Sequence, residues 1–261
     1  GQVFGGKYRI LEEFSKGGMG RIFKAEQISL CRIVAIKVIM ASQDVQANRR
    51  FLLEASLTAN LDHPNIVKVY DFGCTEEGTL FLVMELLNGE NLQSWVEKYG
   101  PLSIEDGLQV TRQLCGALSE AHDKNVIHRD IKPNNVVLTR RAGAGLTAKL
   151  IDFGLVKSVN DEGQKANPGQ IQGTPMYMAP EQISNLAVDD RVDIYALGLT
   201  IFFAMSGQLP YPRLELEALL RAQLYENIPD LSMINDDVPP DHLINWILRT
   251  AVEKEPKLRF Q

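Results

Sequence analysis

The chain has 261 residues, 45% hydrophobic and 23% charged, with 27 Lys and Arg against 33 Asp and Glu for a net charge of −6. That balance excludes a disordered or low-complexity chain, and the absence of a basic cluster leaves nucleic acid without a phosphate-binding stripe. The length suits one large domain or two small lobes with a real core.

Three scattered cysteines, Cys31, Cys74 and Cys115, fit neither a disulfide framework nor a Cys-x-x-Cys metal site, so a reducing, cytoplasmic setting is expected. The longest nearly apolar run, Ile194 to Met205, falls short of the roughly 18 residues of a membrane span and reads as a buried helix. The first residue is Gly1 rather than Met, which reads as an artificially added residue or the start of a piece cut from a longer protein.

From Tyr8 to Met40, short β-branched and aromatic runs broken by Lys16-Gly17-Gly18-Met19-Gly20 predict a hairpin-rich sheet. Val45 to Leu61 switches to helical spacing, with Phe51, Leu52, Leu57 and Leu61 as the apolar stripe, and His63-Pro64-Asn65 ends it. Strands are expected over Ile66 to Phe72 and Leu80 to Leu86. After Asn88-Gly89 helices take over: Ser103 and Asp106 make a capping-box start for a helix to about Asp123. Val126 to Asp152 reads as short strands and tight loops, and helices dominate from Ser184, including Leu214 to Tyr225 and Asp241 to Glu253.

The Ser15 to Ile22 loop is weak evidence alone, because a glycine-rich turn between strands is often only a turn. Gly17 and Gly20 let backbone lie close over a phosphate, and a following strand argues against the dinucleotide-binding fold. A Walker loop is excluded, as no Gly-Lys-Ser/Thr follows. Lys37 closes Val34-Ala35-Ile36-Lys37, where a cation within an apolar strand needs a buried partner or an anionic ligand. Glu54, in the next helix, is a candidate partner.

The strongest signal is His128-Arg129-Asp130-Ile131-Lys132-Pro133-Asn134-Asn135 followed by Asp152-Phe153-Gly154. Asp130, Asn135 and Asp152 are oxygen donors or bases in short loops, a set suited to Mg²⁺ with phosphates completing the shell.

On these motifs the sequence resembles the eukaryotic-type protein kinase superfamily, Ser/Thr branch, over about Tyr8 to Arg259, most like bacterial eukaryotic-like Ser/Thr kinases. The resemblance implies an α+β, bilobal fold: a small antiparallel sheet lobe with one helix over residues 1–84, a hinge at 85–90, and a mainly helical lobe over 91–261 whose final helix is truncated. It implies an ATP-dependent phosphotransferase that modifies Ser/Thr hydroxyls of proteins, in signalling and with autophosphorylation.

By the same resemblance Ser15, Gly17 and Gly20 cover the nucleotide phosphates, Ile22 and Ala35 lie above the adenine and Val137 below it. Lys37 holds phosphates and pairs with Glu54, while Met84 is the gatekeeper and Glu85 and Leu87 give hinge backbone bonds. Asp130 accepts the substrate proton, Lys132 sits near the γ-phosphate, and Asn135 and Asp152 hold Mg²⁺, with Mn²⁺ as an alternative ion. Gly173 to Glu181 resembles the substrate-binding end of the activation segment, with Thr174 in it, and Asp193 and Arg259 match structural anchors, Arg259 pairing with Glu181. ATP and Ser/Thr protein substrates are the implied partners. Regulatory flanks or partner domains are expected beyond this segment.

Three departures stand out. Ser15 replaces the first glycine of the usual loop. Ser158 is the only hydroxyl between Phe153 and Gly173, so phosphorylation at the loop centre is not expected, and Asp161 or Glu162 is the candidate charge near Arg129. Arg140 to Thr147 is a longer basic hairpin tip than the catalytic core requires. A nucleotide-binding pseudokinase scaffold and a small-molecule phosphotransferase are the competing readings; Lys37, Asp130, Asn135 and Asp152 argue against the first, and Lys132 with Gly173 to Glu181 against the second.

Overall fold

The computed structural model describes residues 2–17, 20–39, 45–141, 145–153, 174–211 and 215–261. These form two compact units, one holding the described residues up to Asn88 and the other those from Gly89 onward.

The first unit is a six-stranded antiparallel sheet plus one helix. Its strands are β1 (Val3–Phe4), β2 (Tyr8–Gly17), β3 (Gly20–Gln27), β4 (Arg32–Ile39), β5 (Val69–Cys74) and β6 (Leu80–Glu85), in spatial order β1-β2-β3-β4-β6-β5. Tyr8, Ala25, Val34, Ile36 and Val83 fill one core on this sheet. The buried Tyr8 hydroxyl donates to Asp71 at 2.8 Å, and burial and that partner push it above the usual tyrosine range.

Helix α1 (Val45–Ala59) buries Phe51, Ala55 and Thr58, spaced at four and three residues as one helical face requires. Leu57 is exposed, because two residues beyond Ala55 it has turned to the opposite side of the helix; Leu61 is buried, but past the helix end. The strand expected from Ile66 begins only at Val69. Ile66 is buried, its N–H closes a turn on His63 O, and it forms an isolated bridge three residues before the strand proper.

The second unit is mainly helical: α2 (Leu92–Tyr99), α3 (Ile104–Asp123), α4 (Pro180–Ile183), α5 (Arg191–Ser206), α6 (Leu216–Tyr225) and α7 (Leu243–Ala251). A small sheet of β7 (Glu90–Asn91), β8 (Val136–Arg141) and β9 (Gly145–Leu150) joins them. Ser103 Oγ accepts the Asp106 N–H at 3.1 Å and caps α3. Gln109 and Gln113 then donate to Leu146 O, each at 2.9 Å, and Gln113 accepts from Ala148 N, tying α3 to β9.

Helix α5 is buried on nearly every side. At Gly198 a Cβ would stand 2.7 Å from Val252 Cγ1, so the close approach of the chain end after α7 requires glycine there. Among the described residues no helix is long and apolar enough to cross a membrane.

Candidate active site

In the first unit, strand register sets which side chains share a face. Lys37 lies opposite Ile22 on β3 and Leu82 on β6, and Ala35 lies opposite Met84. Directly opposed residues project to the same side, so Ile22, Ala35, Lys37 and Met84 occupy one face of the sheet. Lys37 is only 6% exposed within the otherwise apolar β4. Glu54 is half-buried on α1, beside the fully buried Ala55.

The β2–β3 tip brings Gly17 opposite Gly20. Gly20 has φ +139°, and a Cβ there would lie 2.3 Å from Val38 O, so no other residue fits this close passage over β4. Ser15 is the β2 partner of Ile22. At the other end of the sheet the Glu85 N–H donates to Lys68 O at 2.9 Å, and the Glu85 carboxylate accepts from Lys68 N at 2.8 Å. The Glu85 N–H is therefore already bonded within the protein. Leu87 is half-buried in the extended stretch after β6.

In the second unit Lys132 and Asn135 converge on Asp130. Lys132 Nζ lies 2.8 Å from Asp130 Oδ2. Asn135 Nδ2 donates to Asp130 O at 2.8 Å and to Asp130 Oδ2 at 3.1 Å, which commits the amide protons and leaves Oδ1 as the acceptor atom of this side chain. The Ile151 N–H donates to Asn135 O at 3.0 Å, so the loop ending at Asn135 is pinned beside the one carrying Asp152. Val137 follows on β8, half-buried. Lys132 Nζ also lies 3.1 Å from Thr174 Oγ1, which puts the start of the Thr174 to Glu181 segment at the same carboxylate.

Beneath this loop sits Asp193 of α5, fully buried. Its Oδ2 accepts His128 N at 2.7 Å and its Oδ1 accepts Arg129 N at 2.8 Å, while His122 Nε2 lies 2.9 Å from Oδ2. Arg129 and Asp152 both hold left-handed backbone, at φ 60° and 57°.

His128 is fully buried against Phe153, with ring centroids 4.5 Å apart. Its Nδ1 accepts from Asp130 N, so Nε2 carries the proton and donates to Ile151 O at 3.0 Å. Burial holds its pKa below the usual histidine value, which agrees with this neutral tautomer.

Glu181 and Arg259 form a buried two-pronged ion pair at 2.6 and 2.8 Å, and Arg259 also donates to Arg191 O and Glu253 O. Ser158, Asp161 and Glu162 lie outside the described residues. The contact of His122 with Asp193 joins residues 71 apart in the chain and leaves no signal in local spacing. Gln223, a buried polar residue on α6, is likewise not singled out by the sequence.

This α+β arrangement, with its two motif-bearing loops, defines a protein kinase domain. The sequence pattern of the protein kinase domain family matches residues 8–259, and the chain belongs to that family. It is 33% identical over 98% of its length to the serine/threonine-protein kinase pkn3 of Myxococcus xanthus, covering 48% of that protein. It is 34% identical over its whole length to PknA of Mycobacterium tuberculosis, covering 60% of that kinase, and 31% identical to PrkC of Bacillus subtilis, covering 39%. The chain thus spans under two thirds of the length of each of these relatives.

Proposed function

We propose that this chain catalyses transfer of the γ-phosphoryl group of ATP to Ser/Thr hydroxyls of proteins, acting in signalling and on its own Ser/Thr residues. The observation that carries the reading is the Asp130 carboxylate, gripped by Lys132 and Asn135, with Lys132 also at Thr174. In the transfer, the acceptor oxygen attacks the γ-phosphorus and gives its proton to Asp130. The bond from the γ-phosphorus to the bridging oxygen breaks, and ADP leaves with that electron pair.

Lys132 supplies positive charge where the transferring oxygens sit, which is the kind of stabilisation that dominates phosphoryl transfer. The buried cation of Lys37, with Glu54 as its partner, holds phosphates. Ser15, Gly17 and Gly20 cover them with backbone, and Ile22, Ala35, Val137 and Met84 frame the base, with Glu85 and Leu87 bonding to it through backbone. Asn135 Oδ1 and the Asp152 carboxylate are hard oxygen donors that fit Mg²⁺, or Mn²⁺ in its place, and the ion would neutralise phosphate charge. Division of the described residues after Asn88 supports a small lobe over 1–84, a hinge over 85–90 and a large lobe from 91. The scattered free cysteines and the use of ATP support a cytoplasmic setting for the domain, with regulatory flanks or partner domains outside this segment.

The test is phosphoryl transfer from labelled Mg-ATP to the protein itself and to a Ser/Thr substrate, with Asp130→Asn and Asp152→Ala alongside. Transfer in the unaltered chain and its loss, by at least about a hundredfold, in both variants is expected. A chain that ATP stabilises against heat but that transfers nothing would instead be a nucleotide-binding scaffold.

A further inference from the structure

The Thr174 to Glu181 segment is held from below by a buried polar relay that the catalytic residues do not include. Gln223, on α6, has no exposed surface. Its Nε2 donates to Met176 O at 2.8 Å, and its Oε1 accepts from the Tyr195 hydroxyl of α5 at 2.5 Å. The orientation of this amide follows from its neighbours. A carbonyl such as Met176 O can only accept, so the NH₂ must face it, and the hydroxyl is left to donate to Oε1. Lys254 Nζ completes the relay, donating to Tyr195 Oη at 3.3 Å and to Gln223 O at 2.9 Å.

Met176 lies in the one-turn 3₁₀ helix Pro175–Tyr177, immediately after Thr174, whose hydroxyl is 3.1 Å from Lys132 Nζ. Above the relay the Met176 side chain is 40% exposed, and below it the carbonyl is fixed by a buried donor. A one-turn element has little intrinsic stability, so its position must come from tertiary bonds. Gln223 supplies such a bond from a different helix.

The geometry points to Gln223 as a positioning residue for the protein acceptor: its amide fixes the 174–177 turn against α6 and so sets the surface on which the acceptor chain lies beside Asp130. This rests on the kinase reading above. The bonded neighbours of Gln223, which are Met176, Tyr195 and Lys254, are not among the residues assigned above to nucleotide or metal; its effect passes through the Met176 backbone.

The experiment compares Gln223→Glu, Gln223→Met and Tyr195→Phe with the unaltered full-length protein. Gln223→Glu keeps the acceptor for Tyr195 and sits beside the Lys254 cation, but it has no N–H for Met176 O; Gln223→Met keeps the length and loses both groups. Tyr195→Phe leaves the donor to Met176 in place. Steady-state kinetics should show kcat/KM for a Ser/Thr protein acceptor reduced roughly tenfold in both Gln223 variants. KM for ATP, and ATP hydrolysis without acceptor, should stay within about twofold, and Tyr195→Phe should change the acceptor term far less. A fall in acceptor and ATP parameters in step would show a general structural role and overturn the inference, as would no change in either.

Amide hydrogen exchange over residues 174–178 gives a readout that needs no turnover. Faster exchange there in Gln223→Glu than in Tyr195→Phe is expected, and equal exchange overturns the positioning role even if the chain proves to transfer no phosphoryl group. Absence of transfer in the unaltered protein, by contrast, would count against the kinase reading and leave this exchange result standing.

Discussion

Arg129, at φ 60°, occupies backbone that costs a non-glycine residue of order 1 kcal/mol or more, and it lies one residue before Asp130, the base of the proposed transfer. What sustains it is Asp193, whose two oxygens accept the N–H groups of His128 and Arg129. That carboxylate is itself buried, so its value lies in having both oxygens bonded, with His122 as a third neighbour. Asp193→Ala would strand two backbone donors in the interior, and at about 1–3 kcal/mol per unpaired group the expected loss is roughly 2–6 kcal/mol in urea unfolding. Asp193→Asn, which keeps one acceptor oxygen, should fall between. In preparations still folded, kcat should drop at least about tenfold while KM for ATP holds, because the damage is to the position of Asp130. Unfolding midpoints that coincide for all three proteins would remove Asp193 from this role.

At the scale of elements, two short devices fix helices whose own propensity is slight. Helix α4, only four residues long, is held by Glu181, which meets Arg259 near the chain end across 78 positions. The guanidinium forks both carboxylate oxygens, donates to backbone carbonyls and lies 4.9 Å from the Tyr195 ring centroid, so lysine cannot replace its geometry. Arg259→Ala leaves Glu181 as an unpaired buried charge and should cost about 3–5 kcal/mol, whereas Glu181→Gln with Arg259→Met should recover much of that. A single-variant loss under about 1 kcal/mol by denaturant titration would contradict the buried pair. Helix α3 depends on a smaller device. Ser103→Ala removes the acceptor for Asp106 N and should destabilise by about 1 kcal/mol, and Ser103→Gly by a few tenths. Thermal melts read the difference, and a Gly variant weaker than the Ala variant would argue against capping as the cause.

Across the whole molecule, what the sequence made legible was local: the Ser103 cap, the β2–β3 tip and the buried stretch from Ile194 to Met205 all follow from spacing within one turn or one hairpin. The catalytic loop was legible as a motif, but not the left-handed backbone at Arg129 and Asp152. Gln223 was illegible because a glutamine on an amphipathic helix reads as a surface residue, and its partners, Met176 and Tyr195, lie 47 and 28 positions away. Lys254 belongs to the same class: its neighbours are Tyr195, Tyr211, Gln223, Arg259, Glu253 and Glu226, and burial, with Arg259 next, brings its pKa down to about 8. Burial pushes the Tyr195 and Tyr211 hydroxyls above their usual range, so they do not titrate with it. The unfolded chain has Lys254 near 10.5. Between pH 8 and 10.5 the unfolded state therefore binds the extra proton, and the part of the stability set by Lys254 rises with pH across that window. Below pH 8 both states are protonated and the full cost of burying the cation applies. Lys254→Met should accordingly be more stable relative to the unaltered protein at pH 7.5 than at pH 10. Urea titrations at the two pH values measure the change, and a stability difference independent of pH, or one that grows toward pH 10, would show that Lys254 is not held neutral-leaning by burial but is paired as an ordinary surface cation.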